Sequence, residues 1–512
     1  MNKESALNVS HLYTFGSLET FDGGNRFAIK NRLFDAELTR ISEVSIDGEP
    51  VALSEMSLEV DGQTVQASDL SNENSIELPL RTTILVTVRG ESLELGAHHI
   101  EATFDAEPYG RMSLDAEDYV VISEETDRIP RDTADDYTPE IIEARRQYVY
   151  DHSGVRVDQI ARGSFEPSLA QGNIENFIGV AQVPVGLAGP IRINGEHANG
   201  DFLVPMATTE GTLIASYSRG MKVVNACGGV TVTIDDDCMQ RAPVFVFDSA
   251  REARDFRGWV DENLDSLRVA AEATTSFGKL LGVDIYLASK FAFLRFNFST
   301  GDAAGQNMVS KATFAACSVI LEKVKSVRRF YMESNFATDK KASQINLMRT
   351  RGKRVTAEIL IPREVLTKVM RVNTESLAYH GSIANVGSFM SGANNNGLHS
   401  ANAIAAIAIA TGQDAANVAE SSAAVVHSDL TPDKSLYFSI TLPSLIIATH
   451  GGGTGLPTQN ECLEIMGCTG LGSVNKLAEI IAGTVLAGEI SLASAISSLD
   501  WVSSHEQYGR NR

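Results

Sequence analysis

The residues of this 512-residue chain that could do chemistry begin with Glu210, a single carboxylate between a threonine pair and a glycine in PMATTEG. Ser216, Arg219 and Lys222 follow at spacings of three, so they share one face of the helix expected there. An acid beside a basic face could hold a carboxylate substrate. Spacing alone favours the alternative, a first-turn glutamate that complements the helix dipole.

Two further charged groups have unusual settings. In the segment TDKKASQIN, Lys340 lies between Asp339 and Lys341. An aspartate could keep this ammonium group charged in a pocket, where it would stabilise an oxyanion, but adjacent lysines are more typical of a solvated loop. Asp414 follows the apolar segment 399–411, where a carboxylate is costly unless it is paired or neutral. Capping of the next helix is the alternative, and the residues leave both open.

Two glycine-rich turns could bring backbone amides close to a ligand. GDAAGQNM, which ends at Met308, follows the strand-like FLRFNF and opens a helix, as folds that hold diphosphates do. It is not the GxGxxG of a Rossmann fold. The turn 451–455, GGGTG, is either flexible or a close backbone approach to a ligand. His505 lies in a polar tail, where a lone histidine usually has no function.

The overall charge restricts the partners. A formal net charge of -22 repels a phosphate backbone and an anionic membrane surface, so neither nucleic acid nor a membrane is expected as a partner. An anionic small ligand would need local Lys, Arg and helix N-termini. The five cysteines form no CxxC pair, which predicts neither a metal site nor disulfides and fits a cytoplasmic protein. The apolar stretches near 401–411 and 478–487 look too short to span a bilayer.

The chain changes character near residue 125. Before that point, alternating runs with Asp47-Gly48 and Asp61-Gly62 turns predict an antiparallel β-sandwich. Residues 124–137 are charged and aperiodic, as in a linker, and Thr138-Pro139 predicts a helix start. Farther on, strands at 243–247 and 291–298 and helices at 249–268 and 308–328 predict a compact α+β insert. The run 399–411 predicts a buried central helix.

Taken in order, several segments resemble the hydroxymethylglutaryl-CoA reductase family, and most closely the soluble form of the class that eukaryotes and archaea share. The resemblance covers about 140–510 and rests on ENFIG with PVGLAGP, PMATTEG, GDAAGQNM, TDKKASQIN, the segment from His399 to GQDAAN, HGGGTGLPTQ and the terminal VSSH. It implies reduction of a CoA thioester, hydroxymethylglutaryl-CoA, to the alcohol mevalonate with two NAD(P)H and release of coenzyme A.

The resemblance also implies roles for residues. Glu210, Lys340 and Asp414 match the catalytic charged groups, and His505 matches the histidine that protonates the CoA thiolate. The positions that match substrate contacts are Ser216, Arg219, Arg241, Asp339, Lys341 and Asn402. Those that match the dinucleotide site are Thr275, Ser276, Asp302, Gly305, Asn307, Met308, Gly451, Gly452, Gly453 and Thr454.

The implied fold is an α+β multidomain protein. An N-terminal β-sandwich-like domain precedes a large α/β reductase domain with a central buried helix and an inserted ferredoxin-like dinucleotide-binding domain. We expect the following divisions: 1–125 accessory domain, 126–150 linker and first helix, 151–241 with 331–498 large domain, 242–330 small domain, and 499–512 flap. The family implies a homodimer or homotetramer with the active site at the subunit interface, and ENFIGVAQVPVGLAGP has the low charge of such an interface.

Several positions depart from the family pattern. Ala304 and Gln306 replace methionines of the family's DAMGMNM turn, and His450 replaces a valine before the glycines. Ser276 occupies the position of an arginine that binds the ribose phosphate, with Lys279 the nearest cation in sequence, so NADPH is expected with weakened discrimination and NADH remains possible. Glu333 lies near the position of a substrate-binding serine, although Ser334 could take that place.

The N-terminal domain resembles a different protein. Its segments IDGEP and LELGAHHIEATF are similar to the small β subunit of C-glycoside deglycosidases, and such a domain is not expected as a usual part of the reductase. A structural or partner-binding role is implied. Two alternatives stay open: a reductase of a related acyl-CoA, and a catalytically silent fusion that acts through this domain.

Overall fold

The computed structural model describes residues 6–32, 35–121 and 128–498. The chain divides into two compact units. The first contains residues 1–126, 241–297 and 307–337, and the second contains residues 127–240, 298–306 and 338–512.

The bounds of the elements follow in chain order. The strands are β1 (Leu7–Asn8), β2 (Glu19–Phe21), β3 (Gly24–Lys30), β4 (Ala36–Ile46), β5 (Glu49–Pro50), β6 (Met56–Val60), β7 (Gln63–Gln66), β8 (Ile76–Leu78), β9 (Thr83–Arg89), β10 (Gly96–Glu107), β11 (Gly110–Val120), β12 (Val185–Gly195), β13 (Asn199–Ala207), β14 (Val230–Arg241), β15 (Val244–Val246), β16 (Lys279–Ala288), β17 (Phe291–Ser299), β18 (Arg329–Tyr331), β19 (Gly352–Ile361), β20 (Val425–Leu430) and β21 (Leu436–Leu445). The helices are α1 (Pro139–Ser153), α2 (Leu213–Ala226), α3 (Ala250–Glu262), α4 (Leu264–Glu272), α5 (Gln306–Lys323), α6 (Gln344–Met348), α7 (Arg363–Met370), α8 (Thr374–Ser391), α9 (Ser400–Thr411), α10 (Val418–Ser421), α11 (Pro457–Ile465) and α12 (Ser473–Ser497).

The N-terminal part of the first unit is a sandwich of two sheets. One has the order β1-β11-β10-β4-β5, with β8 on β4, and the other has the order β2-β3-β9-β6-β7. Both predicted two-residue turns are confirmed, because Asp47 and Asp61 have positive φ and each is followed by a positive-φ glycine that closes a hairpin. Strand β1 pairs parallel to β11, so the sandwich is not wholly antiparallel.

The rest of the first unit contains the predicted α+β insert. Its elements follow the βαββαβ succession of a ferredoxin-like motif, with β15 between β17 and β18, and β16 on β17. The expected helix 249–268 is two helices, since the chain leaves the helical conformation at Asn263, which has φ -109 and ψ 11. Sequence inspection also missed β16 and β18.

The linker before α1 is partly fixed by a buried arginine. Arg145, on α1, donates to the Pro130 carbonyl at 2.8 Å and to the Asp136 carbonyl at 2.8 Å, and also pairs with the Asp136 carboxylate. The predicted helix start is confirmed, with Thr138 as N-cap and Pro139 in the first turn. Arg145 of α1 therefore holds the backbone in place at both ends of the charged segment 130–136.

The second unit is built on a sheet with the order β13-β12-β14-β19-β21-β20. The predicted apolar helix is confirmed as α9, and α12 lies beside it and against α2. By length and composition, helix α12 could span a bilayer. The expectation that the apolar stretch near 478–487 is too short for this is therefore wrong. However, 83% of its most apolar window is buried inside the protein, as expected of a core helix.

Candidate active site

An ion pair in the second unit joins two of the predicted catalytic residues. The Nζ of Lys340 lies 2.8 Å from the Oδ2 of Asp414, and both side chains are partly exposed. The hydrogen bond that Lys340 donates to Asp414 is the largest influence that raises the pKa of Lys340. Burial acts to raise the pKa of Asp414, but the hydrogen bonds from Lys340 and from the Ala416 amide keep it lowered. The pair is therefore an ammonium and a carboxylate at neutral pH.

Asp414 performs both of the roles that the sequence left open. Its Oδ1 accepts from the Ala416 amide at 3.1 Å, which caps the short 3-10 turn Ala415–Asn417, while its Oδ2 pairs with Lys340. Capping fixes the carboxylate on the backbone, so it can hold the ammonium group in a defined place.

Lys340 lies in a loop with an uncommon backbone. Thr338 has φ 59 and Lys340 has φ 56, in the left-handed region that side chains disfavour, most of all a β-branched one. Lys341 is exposed and its Nζ donates to the Asp339 carbonyl at 3.0 Å. Asp339 pairs with the buried Arg351 at 2.5 Å, so its carboxylate has a protein partner where the sequence suggested a substrate contact.

Glu210 lies between β13 and α2 and is exposed. Helix α2 begins only at Leu213, so the alternative of a first-turn glutamate is not realised. The Glu210 amide donates to Thr208 Oγ1 at 3.0 Å. Within residues 6–32, 35–121 and 128–498, its carboxylate makes no ion pair with Lys340. The structure therefore joins two of the three predicted catalytic charges and leaves Glu210 accessible.

The predicted substrate residues of α2 meet a polar cluster at α9 and α12. The Oγ of Ser216 lies 3.1 Å from the Oγ of Ser491, and Arg219 donates to the same hydroxyl at 3.1 Å and to the Ser491 carbonyl at 2.7 Å. His399 lies 3.3 Å from Ser216 Oγ through Nε2 and 2.9 Å from Asn402 Nδ2 through Nδ1. Three predicted residues therefore converge on two that the sequence analysis did not select, His399 and Ser491.

The histidine of this cluster is neutral at physiological pH. Burial lowers the pKa of His399 to about 4, and its ring stacks on Tyr217 with a centroid distance of 4.6 Å. Glu489 fixes the same turn by accepting from the amides of residues 398, 399 and 400. A neutral imidazole so held can orient hydroxyl and amide groups but does not supply a positive charge.

Asp302 has a structural role that the sequence did not predict. Its Oδ2 accepts from the Gly472 amide at 2.7 Å and its Oδ1 from the Val474 amide at 3.1 Å, at the start of α12. Its carbonyl accepts from the Thr449 amide at 2.9 Å. The carboxylate therefore caps the N-terminus of α12, and the place of Asp302 at the dinucleotide site stays a prediction. Gly305 has φ 77 in the same turn, directly before α5.

The glycine turn and the Asp414 turn lie against each other. A Cβ on Gly412 would lie 2.2 Å from the Gly453 carbonyl oxygen, and Gly412 has φ 70. Gln413 donates to the Ala448 carbonyl at 2.9 Å and accepts from its amide at 2.7 Å. Thr454 donates to the Gly451 carbonyl at 2.8 Å and Gly452 opens a 3-10 turn. The 451–455 turn therefore packs closely against the turn at Gly412, and its approach to a ligand stays a prediction.

This contact leads to a test of stability. Gly412→Ala should lower the free energy of unfolding by roughly 1–3 kcal/mol, because the new Cβ meets a backbone carbonyl and the φ is left-handed. Gly455→Ala is the matched control, since a Cβ there meets nothing within 4 Å. Urea unfolding followed by circular dichroism measures both. Equal midpoints for the two variants would mean that the turns are not in close contact.

The remaining predicted residues within the described ranges lie in the first unit. Arg241 donates to Ser310 Oγ at 2.6 Å and lies 3.5 Å from Glu333, while the Ser334 hydroxyl donates to the Ala242 carbonyl. Thr275 Oγ1 donates to the Met308 sulfur at 3.1 Å, so these two dinucleotide candidates are joined. Ser276 and Asn307 are exposed. Lys279, the cation nearest to Ser276 in sequence, pairs with Glu272 at 2.8 Å. His505 lies outside the described residues.

Two buried charges near Lys340 had no signal in the sequence. The polar segments that contain them, AESS for Glu420 and TRGK for Arg351, are typical of a protein surface. In the structure both side chains are fully buried, and Arg351 Nε lies 2.9 Å from Glu420 Oε2. Burial is the main cause that raises the pKa of Glu420, to about 7. His399 and Ser491 were equally hidden, although His399 begins one of the segments that carry the family resemblance.

Comparisons with known proteins cover the part of the chain that contains these motifs. Residues 141–510 match the family model described as hydroxymethylglutaryl-coenzyme A reductase. The chain is 43% identical over 376 residues to the 3-hydroxy-3-methylglutaryl-coenzyme A reductase of Pyrococcus horikoshii, covering 72% of this chain and 91% of the relative. The enzyme of the same name from Haloferax volcanii is 40% identical over 374 residues, covering 72% and 92%.

Solved structures share the fold. The 3-hydroxy-3-methylglutaryl-coenzyme A reductase of Streptococcus pneumoniae superposes with a TM-score of 0.53 at 21% identity, covering 70% of this chain and 93% of that one. Another structure of that enzyme, described as bound to NADPH in open conformations, has the same score and identity, covering 70% and 83%.

The N-terminal domain also matches. Residues 9–121 fit the family model described as hydroxymethylglutaryl-CoA reductase, N-terminal domain. The expectation that this domain is foreign to the reductases is therefore wrong. With both family models matched and an archaeal relative 43% identical over most of its length, the chain belongs to the hydroxymethylglutaryl-CoA reductase family.

Proposed function

We propose that this chain catalyses the four-electron reduction of (S)-3-hydroxy-3-methylglutaryl-CoA to mevalonate and CoA with two molecules of NADPH. The observation that supports it most strongly is the Lys340–Asp414 pair at 2.8 Å. Lys340 is kept protonated by the Asp414 carboxylate, which is itself fixed by the backbone turn that it caps. It supplies a fixed positive charge where a thioester carbonyl oxygen becomes negative.

The residues divide the chemistry among them. Lys340 holds the oxygen of the thioester, and later that of the aldehyde, as each becomes negative. Glu210, exposed ahead of α2, donates the proton to the alkoxide formed from the aldehyde. Asp414 holds the Lys340 ammonium group in place. His505 protonates the departing CoA thiolate, which prevents the thiolate from attacking the aldehyde again.

The substrate's own carboxylate needs a cationic partner. Arg219 donates to Ser491 in the α9–α12 cluster, and Ser216, Asn402 and the neutral His399 supply hydroxyl, amide and imidazole hydrogen bonds there. Arg241 and Lys341 complete the proposed substrate contacts, and Asp339 supports the site. Asp339 would act through Lys340 and Lys341, since its carboxylate is already paired with Arg351.

The start of α5 fits the diphosphate of a dinucleotide. Gly305 turns the chain with φ 77 directly before the helix, and the first turn of α5 carries no acidic residue. Its first amides have no intrahelical partner and would meet the anion without a competing carboxylate. Asn307, Met308, Thr275, Ser276 and the 451–454 turn are the other proposed contacts. NADPH, when bound, supplies the hydride for each reduction.

The substrate assignment has a direct test. Purified protein with NADPH is offered hydroxymethylglutaryl-CoA and, separately, acetoacetyl-CoA and glutaryl-CoA, while oxidation is followed at the nucleotide absorbance. We expect kcat/KM for the first to exceed the others by at least about a hundredfold, as a site built for a paired carboxylate and hydroxyl allows. Faster turnover of another thioester would support a reductase of a related acyl-CoA, and no turnover would support a silent fusion.

Cofactor preference depends on the turn at Ser276. We expect NADPH to be preferred over NADH, but Ser276→Arg should raise that preference by roughly tenfold to a hundredfold. The reason is that an arginine adds a charge-assisted bond to the ribose phosphate, worth about 1.5–3 kcal/mol. Lys279 is a poor substitute because Glu272 already pairs with it. The ratio of kcat/KM for the two cofactors in both proteins measures this, and an unchanged ratio would mean that the phosphate binds elsewhere.

We further propose a homodimer or homotetramer whose active site lies at the subunit interface. An apolar stripe of α8 supports it, formed by residues with large exposed fractions: Tyr379 71%, Ile383 54%, Val386 60%, Phe389 88% and Met390 80%. Such a stripe on a surface helix is typical of a covered interface. The segment ENFIGVAQVPVGLAGP contributes to the wall of a cavity of about 750 Å³ in the same unit, which a second copy could fill.

The stripe gives a test of assembly. Phe389→Glu should shift the protein toward monomer in sedimentation velocity, because burying the new charge at the interface costs free energy. We expect kcat to fall as the fraction of monomer rises. Val269→Glu, on α4 and also well exposed at 72%, is the control and should leave the sedimentation coefficient unchanged. A fully active monomer would contradict an active site shared between subunits.

The location and the N-terminal domain complete the proposal. The five cysteines are free thiols, which fits a reducing, cytoplasmic compartment. For the β-sandwich at residues 9–121 we propose a structural or partner-binding role, since the residues that carry the chemistry lie after residue 200.

A further inference from the structure

The lysine of the Lys340–Asp414 pair is held at two points by one short segment. Asp414 contacts the Nζ of Lys340 at 2.8 Å. Glu420, six residues after Asp414, accepts through Oε1 from the backbone amide of Lys340 at 3.1 Å. Glu420 lies on the one-turn helix α10, which follows the 3-10 turn that Asp414 caps. The position of the amine and that of the backbone behind it are therefore set by the same piece of chain.

Arg351 joins this contact to the next residue of the loop. Its Nε donates to Glu420 Oε2 at 2.9 Å, its Nη2 to Asp339 Oδ1 at 2.5 Å, and its Nη1 to the Gln240 carbonyl at 3.1 Å. Both Arg351 and Glu420 have no exposed side-chain surface. A planar guanidinium with three fixed acceptors allows little movement of what it holds.

Asn346 holds the outer residues of the same loop. Its Oδ1 accepts from the Thr338 hydroxyl at 2.6 Å, and its Nδ2 lies 3.4 Å from both the Lys341 carbonyl and Glu420 Oε2. Each residue from 338 to 341 is thus tied, by side chain or backbone, to the buried group of Asn346, Arg351 and Glu420. Left-handed φ values at Thr338 and Lys340 persist only where the surroundings determine them so completely.

We propose that Glu420, with Arg351 and Asn346, is a positioning residue that sets the ammonium group of Lys340 for catalysis without itself contacting substrate. This inference rests on the proposed role of Lys340 and extends it to the buried groups behind the loop. Removing the carboxylate should leave substrate binding intact and misplace the ammonium group, and displacements of about 1 Å at a reacting centre can cost roughly a hundredfold in rate.

Glu420 also acts on the charge of Lys340. Together with Asp414, which is the main influence, Glu420 raises the pKa of the Lys340 amine. The charged groups that act on Glu420 are Arg351, which lowers its pKa, and Asp339, which raises it, with the Lys340 amide as a further hydrogen-bond donor. Burial raises the pKa of Glu420 to about 7, so at pH 9 it is ionised and its effect on Lys340 is fully present.

The test compares Glu420→Gln and Arg351→Lys with wild type in the full-length protein. A glutamine can still accept from the Lys340 amide, but its amide nitrogen faces the Nε–H of Arg351, so the link to Arg351 is broken selectively. We expect kcat to fall about 10- to 100-fold in both variants with KM for hydroxymethylglutaryl-CoA within threefold. Glu420→Asp, which keeps the charge, should recover part of the rate.

A labelling measurement separates positioning from general loss of structure. Acylation of Lys340 at pH 9, followed by peptide mass spectrometry, should be several-fold faster in Glu420→Gln, since a lower amine pKa leaves more of it neutral. Lys368, exposed on α7, is the internal reference. Glu479→Gln is the matched control, because Glu479 is also fully buried and accepts from the backbone amides of residues 196 to 198, away from this loop.

The outcomes are distinguishable. If Lys340→Ala is inactive but Glu420→Gln and Arg351→Lys keep wild-type kcat and labelling rate, the positioning role is wrong and the proposed function stands. If Lys340→Ala retains wild-type activity, the assignment of Lys340 is what fails. An equal loss of kcat in Glu479→Gln would reduce the effect to one of stability and also overturn the inference.

Discussion

Replacement of Lys340 with alanine is expected to lower kcat by about 10²–10³-fold or more, with little change in KM. The reason is that the Lys340 ammonium group is the charge proposed to meet the oxyanion, and removing a single oxyanion donor costs about that much in other enzymes. Asp414 would still cap the Ala415–Asn417 turn in this variant, so the fold should persist. Steady-state rates of NADPH oxidation measure the effect.

Two controls make this result specific. Lys368→Ala removes an exposed lysine on α7 and should behave as wild type. Lys340→Arg keeps the charge but replaces a compact ammonium group with a planar fork, and should recover only a small part of the rate. Wild-type activity in Lys340→Ala would mean that another group stabilises the oxyanion.

Glu210→Gln is expected to slow the second reduction by about 10²–10⁴-fold, the range that general acids contribute. Gln keeps the shape of the side chain and cannot donate a carboxyl proton, so the aldehyde should persist. The first reduction should be much less affected, since that step depends on Lys340. The rates are compared by supplying the thioester and, separately, the aldehyde.

The control for this variant is Glu196→Gln, an exposed glutamate in the turn between β12 and β13. It should reduce both substrates at wild-type rates. An equal loss on thioester and aldehyde in Glu210→Gln would place Glu210 in substrate binding, and no loss on aldehyde would remove it as the proton donor.

Local signals in the sequence predicted local structure well. The Asp-Gly turns close hairpins, Thr138-Pro139 starts α1 and the uncharged run 399–411 is the buried helix α9. Each depends on residues within a few positions of one another, such as a positive φ or a capping hydroxyl. The insert was less well predicted, because the break at Asn263 and the partly buried strand β16 have weak periodic patterns.

Contacts between residues far apart in the chain could not be predicted from the sequence. Asp302 serves the start of α12 from 170 residues away, and no spacing rule relates the two. The pairing of Arg351 with Glu420 spans 69 residues, and each lies in a segment that looks like solvated surface. The motifs identified the residues that carry the proposed chemistry, whereas the groups that hold them in place became visible only when the chain was folded.

The stoichiometry of a reaction run to completion with limiting hydroxymethylglutaryl-CoA decides whether this protein carries out both reductions. We expect two NADPH oxidised and one free thiol released per substrate, with mevalonate as the product by mass spectrometry. One NADPH per thiol would mean that reduction stops at the aldehyde. Absence of oxidation with either NADPH or NADH would contradict the proposed function.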